Sequence, residues 1–408
     1  MRDPSGAVVI SGAGALGPFG LGVDLLRQGM LAGRPALSGG CSAAVRDPIG
    51  PGPFPAQSWR RLDRASRMAA LAASEALVSA GLDGGSLGGR YAGAAGDAIG
   101  VVLGTMSAGT APLAGFLSTL FREGPEAVSP MDFPFTVQNA PAAQCSILLG
   151  LRGPNLTICR MEASGLSAIA TAATLVREGH AEAVLAGGVD AHAGPIEAAW
   201  ERWGIRARGG AGSFRGPFDR RRHGFAPGEG SYVLLLEDAG RARRRGARPW
   251  AVIAGSAAAH APGPAHGWPS EIGAAAGALR QALARAALAP GAIGCVVASA
   301  NASPRLDAFE ARTLREALGP DLARLPVTSV KGAVGESGAA SACAALVAAI
   351  ALRDGLVPPV AGLVDPDPSL GLDCVRHAAR PGRLASVLVN ALGTGGTCQS
   401  LVLTCPPA

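Results

Sequence analysis

Lysine is almost absent from this sequence: of 36 basic residues, Lys331 is the one lysine and the rest are arginines. Charge is scarce altogether, at 16% against 48% hydrophobic residues, so apolar surface is left over and a second protein chain is expected to cover it. The arginines that make up the net charge of +6 are scattered, with short runs only at 220–222 and 243–245. A basic block or tail is missing, which argues against nucleic acid as a partner. Apolar runs of the ~20 residues that a membrane span needs are missing too. The Ala-rich run 339–352 is closed by Arg353 and Asp354. The eight cysteines form no CxxC pair and follow no secretory signal, so they read as reduced, buried small hydrophobes of a cytoplasmic protein. That pattern predicts no metal site, and nothing in the sequence calls for a cofactor.

What is present is a chain of 408 residues, long enough for two intimately packed halves. Four landmarks recur in the same order, the mark of an old internal duplication. An opening strand at 7–11 answers 251–255, and a buried strand at 100–105 answers 294–300. A small-residue helix beginning near Ala163 answers one near Gly338, and the strand 183–189 answers 386–390 with Gly395 and Gly396 behind it. Continuous apolar strands alternating with helices predict two βαβ-rich halves, 1–250 and 251–408, each with a buried sheet. The Gly-, Arg- and Pro-rich stretch 204–229 is expected to form loops at the junction of the halves, and 257–270 another loop. Residues 63–80 carry the apolar spacing of an amphipathic helix, with Gly81 where it would stop.

Two motifs place residues where chemistry could occur. Gly12, Gly14 and Gly17 spell GxGxxG after a strand, the spacing of a dinucleotide-binding turn. Pro18 follows at once and no acidic residue stands ~20 positions on, so a tight turn is the expected role. The stretch 153–165, GPNLTICRMEASG, runs a short strand into a sharp turn and a helix of small residues. A side chain at such a turn faces a pocket beside helix N-terminal amides, and here that side chain is Glu162. A carboxylate is also welcome at a helix N-terminus for structural reasons alone.

The segments VVISGAGALGPFG, DRASRMAALAASEAL, LRGPNLTICRMEASGL, AVLAGGVDA, PFDRRRHGFAPGEGSYVLLLED, VTSVKGAVGESGAA and NALGTGGT together resemble a β-ketoacyl synthase nearly end to end. The resemblance implies an α/β fold of the thiolase-like, duplicated kind, layered αβαβα around two buried mixed sheets. It also locates the departures. Active members carry a nucleophilic Cys before Ala-Ser-Gly; here Glu162 stands before Ala163, Ser164 and Gly165, and Cys159 reads as core. The HGTGT loop with the first catalytic His becomes SANAS from Ser299, with Asn301 inside it, the His absent and the loop apparently shortened. The second His matches Glu336. Lys331 is kept, and a pairing with Glu162 or Glu336 is expected, since buried charges require each other. The glycine-rich gate keeps Thr394 but has no aromatic residue. No catalytic residue is expected, only a vestigial site of Glu162, Glu336, Lys331, Asn301 and Thr394.

Condensation needs a thiolate to carry the chain and two imidazoles to assist decarboxylation. Two degenerate kinds of ketosynthase resemble this layout: the chain-length factor of type II polyketide synthases, and a priming decarboxylase with Gln at the Cys position. A Gln amide can donate to an enolate and an ionised Glu would repel it, so the chain-length factor is favoured. That role implies a heterodimer with an active ketosynthase, an acyl carrier protein delivering the chain, and a tunnel closed by side chains of this subunit. Tunnel candidates are Met106, Thr110, Leu113 and Phe116, at roughly helical spacing in 105–121. Phe133, Phe135 and Gln138 lie in a stretch resembling the family's dimer interface. A third possibility is a scaffold that only stabilises its partner.

Overall fold

The computed structural model describes residues 6–38, 41–82 and 94–406. Five strands build the first half: β1 (Val8–Gly17), β2 (Ile99–Gly104), β3 (Asn155–Ile158), β4 (Ala183–Asp190) and β5 (Gly230–Asp238). Five more build the second: β6 (Ala251–His260), β7 (Cys295–Val297), β8 (Pro326–Thr328), β9 (Ser386–Gly393) and β10 (Thr397–Thr404). The spatial order is β3-β2-β4-β5-β1 in the first sheet and β8-β7-β9-β10-β6 in the second, so each strand has a counterpart five places on. Pairing directions repeat as well. In each sheet the three strands at one end are parallel and the last two antiparallel. Two antiparallel pairs, Val9 with Val252 and Ile10 with Ala251, join the sheets edge to edge into one large mixed sheet. The two-residue strand Asp373–Cys374 extends the second sheet beside β8.

Five layers follow from which faces are apolar. Helices α1 (Arg64–Ser79) and α3 (Ala140–Leu149) cover the outside of the first sheet; α6 (Gly273–Arg285) and α7 (Pro304–Leu318) cover the second. Between the sheets lie α4 (Ser164–Glu178) and α8 (Ala340–Asp354), packed on each other and on both inner faces. Every residue from Ala340 to Leu352 is buried, and an all-round apolar helix can only sit inside. Strand β5 is buried on both faces: Leu234 and Leu236 join the middle layer, Val233 and Leu235 the outer one. This is why it reads as an unbroken apolar run.

Small residues let the layers close. A Cβ on Gly165 would sit 2.8 Å from Ala342 across the α4–α8 contact. Gly12 and Gly14 form no turn, since β1 runs through them, whereas Gly17 ends β1 at a tight hairpin turn and pairs with Gly20. A Cβ on Gly12 would meet Ala76 O at 2.3 Å, and one on Gly14 Ala72 O at 2.0 Å, so these glycines let α1 lie directly on the strand. Asp63 caps α1 through the N–H groups of Ala65 (3.2 Å) and Ser66 (3.3 Å).

Three expectations change. Residues 204–229 are largely loop, but the halves do not meet there, because β5, which follows, still pairs with β1 and β4. The loop expected from 257 begins after β6, which runs to His260 because residues 257–260 still pair with β10, His260 opposite Thr397. Met106 precedes helix α2 (Thr110–Glu123) and is buried against Phe225 and against Trp200 of α5 (Gly194–Trp203), off the helical stripe that its spacing suggested. Among the described residues no helix is long and apolar enough to cross a membrane.

Candidate functional site

Glu162 lies between β3 and α4, after Met161, whose φ of 51° makes the sharp turn. Its side chain is buried and both oxygens face the loop after β9. Oε2 accepts the backbone N–H of Thr394 at 2.8 Å, and the Thr394 hydroxyl lies 3.2 Å from Oε1 and 3.1 Å from Oε2. The carboxylate therefore staples the first half to the glycine-rich loop of the second, and its lone pairs are engaged in doing so.

Glu336 and Lys331 make a second buried group. Lys331 Nζ donates to Glu336 Oε2 at 2.9 Å and to Ser299 Oγ at 3.2 Å, and Asn301 Nδ2 donates to the same Glu336 oxygen at 2.6 Å. Lys331 thus pairs with Glu336, while the bonds to Glu162 come from Thr394. Glu336 Oε1 is buried without a hydrogen-bond partner. Burial pushes the Glu336 carboxyl up to about 7; Lys331 pulls against this and the charge of Glu162 adds to it. That influence places Glu162 in the electrostatic neighbourhood of Glu336.

Three further acids belong to this region and were not singled out from the sequence. Glu310, on α7, accepts the N–H of Ser299 at 2.8 Å and Asn390 Nδ2 at 3.0 Å, and burial pushes it up to about 7. Asp307, one turn earlier, accepts from Phe218 N and Asn301 N, and burial pushes it up to about 6. Asp190, at the end of β4, accepts four hydrogen bonds on Oδ1, from Thr105 Oγ1, Met106 N, Ser107 N and Ser107 Oγ. Its Oδ2 takes the N–H of Ala339 at the start of α8. A signal existed for the first two: Asp307 and Glu310 interrupt the buried stripe Leu306, Phe309 and Leu314, and an acid on an apolar helix face has to be satisfied inside.

The other candidate residues do not gather around one cavity. Phe116 and Phe133 meet edge to face with ring centroids 6.0 Å apart. Phe133 is 60% exposed, as is Met131, and Phe121 is 80% exposed. Leu113 is exposed, and no residue of α2 is buried. Phe135 packs against the outer core of the first sheet and lines a cavity of about 330 Å³ with Met131 and Ile147. Gln138 Nε2 donates to Met106 O at 3.4 Å, and Cys159 donates to Gln138 Oε1 at 3.0 Å. Cys159 is therefore exposed on the strand side of the turn and is not core. Beside these residues, β3 forms the open edge of the first sheet with Leu156 exposed.

Among the described residues no group of three His, Cys, Asp or Glu could hold a metal. The buried cluster can hold charge, accept hydrogen bonds and share protons near neutral pH. It has no thiol or imidazole that could carry an acyl group. The sequence profile described as Beta-ketoacyl synthase, N-terminal domain, matches residues 52–242, and its C-terminal companion matches 250–364. The chain is 34% identical to the oxytetracycline polyketide putative beta-ketoacyl synthase 1 of Streptomyces rimosus, over 98% of this chain and 97% of that one. It is 32% identical to the ketoacyl synthase alpha subunit of the tetracenomycin polyketide synthase of Streptomyces glaucescens, over 99% and 98%. The solved ishigamide ketosynthase/chain length factor superposes with a TM-score of 0.88 over the whole of both chains, at 25% identity.

Proposed function

Since the chain belongs to the β-ketoacyl synthase family, among the ketosynthases and chain-length factors of type II polyketide synthesis, we propose that it is a non-condensing chain-length factor. The observation that carries this reading is Glu162: the side chain at the nucleophile's turn is a buried carboxylate held by Thr394. An acyl anhydride on a carboxylate would hydrolyse or revert, so Glu162 cannot carry a growing chain. Glu336 stands at the second imidazole's position, bound to Lys331 and Asn301. Residues 299–303 are as many as HGTGT, so the shortening expected of this loop falls away; Ser299 then takes the place of the first imidazole, and its hydroxyl is engaged by Lys331 Nζ and Leu392 N. Glu162 also has no amide N–H to offer a developing enolate, which weighs against a priming decarboxylase.

In this role the subunit pairs with an active ketosynthase and shapes the far end of its acyl tunnel, with the chain delivered on a carrier protein. Helix α2, without a buried residue, and the exposed Phe121, Met131, Phe133 and Leu156 supply the apolar surface that such a partner would cover. The division into halves 1–250 and 251–408 belongs to the same proposal. The test is co-expression with the partner ketosynthase, sizing of the complex, and product analysis with Phe116→Ala. A one-to-one complex whose product lengthens with the widened residue supports the reading. An intact complex with unchanged product length leaves only a scaffold. A homodimer that turns malonyl-carrier protein into acetyl-carrier protein overturns it in favour of decarboxylation.

A further inference from the structure

Away from the buried cluster, Ser42, His192 and Glu197 form a chain of polar side chains on the surface of the first half. Ser42 Oγ lies 2.9 Å from His192 Nε2, and His192 Nδ1 lies 2.8 Å from Glu197 Oε1. A carboxylate can only accept, so Nδ1 carries the imidazole proton and Nε2 turns its lone pair to the Ser42 hydroxyl. This is the order of a nucleophile, a general base and an orienting acid, with the ring nitrogens assigned in the sense that chemistry requires. The hydrogen bond from His192, with the charge of Arg206 beside it, holds the Glu197 carboxyl below its usual range. Arg206 Nη1 lies 3.3 Å from the other Glu197 oxygen.

Nucleophile and base are anchored to the same segment. Ala43, next to Ser42, donates to Pro227 O at 2.8 Å and its carbonyl accepts from Glu229 N at 3.0 Å. The backbone of His192 donates to Glu229 Oε2 at 3.2 Å, and Glu229 is itself buried and paired with Arg64. Cys41, immediately before Ser42, has a φ of 59°, an uncommon backbone conformation that turns the serine outward. All three side chains keep partial exposure. Cys41 packs with Ala207, and Ala207 and Arg206 line a cavity of about 520 Å³ with Glu201, Gly204, Arg208 and Gly209.

We propose that Ser42, His192 and Glu197 are a second, hydrolytic site that accepts esters or thioesters bearing a negative charge, which Arg208 of the adjoining cavity favours. Ser42 Oγ attacks the carbonyl carbon while its proton passes to His192 Nε2. The bond to the leaving thiolate or alkoxide breaks, and that group takes the proton from His192. Water then repeats the sequence on the acyl-serine, releasing the carboxylic acid and restoring the hydroxyl. Ser42 and His192 are the reacting groups; Glu197 is a positioning residue.

The full chain is treated with a fluorophosphonate probe, and adducts are located by intact mass and peptide mapping. The expected result is an adduct on Ser42, absent in Ser42→Ala, forming roughly 10²- to 10⁴-fold more slowly in His192→Ala. Glu197→Gln should slow it too, and Glu197→Asp should recover part of the rate. No adduct on Ser42 in the unaltered chain, or the same rate in His192→Ala, overturns the proposal. For the substrate class, p-nitrophenyl hemisuccinate should be hydrolysed about tenfold faster than p-nitrophenyl acetate, a preference lost in Arg208→Ala. Equal rates on the two esters overturn the anionic preference.

Discussion

Replacing Lys331 by Met removes the cation bonded to Glu336 in a buried, carboxylate-rich cluster while keeping a side chain of similar length. Glu336 and Glu310 each sit near 7 against an ordinary value of 4.5, burial raising both and Lys331 lowering both. A carboxyl whose pKa is raised on folding binds its proton more tightly in the native state. Its contribution to stability is therefore complete below about 4.5 and is lost as pH rises through about 7. At 1.36 kcal/mol per unit the loss is about 3 kcal/mol for each group. Without Lys331 both carboxyls stay protonated further up the scale. At pH 8.5, holding one protonated costs 1.36 × (8.5 − 4.5), about 5 kcal/mol, so the variant is worse than wild type by about 2 kcal/mol per carboxyl and about 4 for the pair. That agrees with the ~3–5 kcal/mol typical of a buried pair that loses one partner. At pH 5.5 both groups are protonated in both proteins, and the difference should shrink to about 1 kcal/mol or less. Denaturant unfolding of the full chain at the two pH values measures this. A loss of the same size at pH 5.5 and pH 8.5 would refute the buried-charge reasoning.

Restoring a thiol with Glu162→Cys should not restore condensation, because neither condensing motif supplies an imidazole; assay with acyl- and malonyl-carrier protein should show no β-ketoacyl product. Asp190→Asn puts an amide N–H where two backbone N–H groups or the Ala339 N–H now donate, and should destabilise the chain by about 2–3 kcal/mol in denaturant unfolding. Gly165→Ala drives a Cβ to 2.8 Å from Ala342 and should cost about 1–3 kcal/mol, measured in the same way.

Much of the fold was legible because local chemistry and burial agree. The apolar runs of β2 and β4, the capped stripe of α1 and the Ala-rich α8 each admit one environment, and their repetition announced a duplicated, layered architecture. The strand-turn-helix at Glu162 was legible for the same reason: a short strand followed at once by small residues leaves one side chain at a turn. GxGxxG shows the opposite case. Spacing alone cannot separate a phosphate-binding turn from a strand that needs room for a helix, and only the 2.0 Å approach to Ala72 decides.

By itself the sequence determined the family, the layered fold and the absence of a thiol and imidazoles from the condensing motifs, because these depend on residue type and order. The tertiary structure decided which charges meet. It put Lys331 on Glu336 and Thr394 on Glu162, and brought in Glu310 from α7. It also placed Ser42 against His192, 150 positions apart in the chain. Polar partners separated so far along the chain leave no period or spacing to read, since the distance that matters to a hydrogen bond is set by packing of the layers.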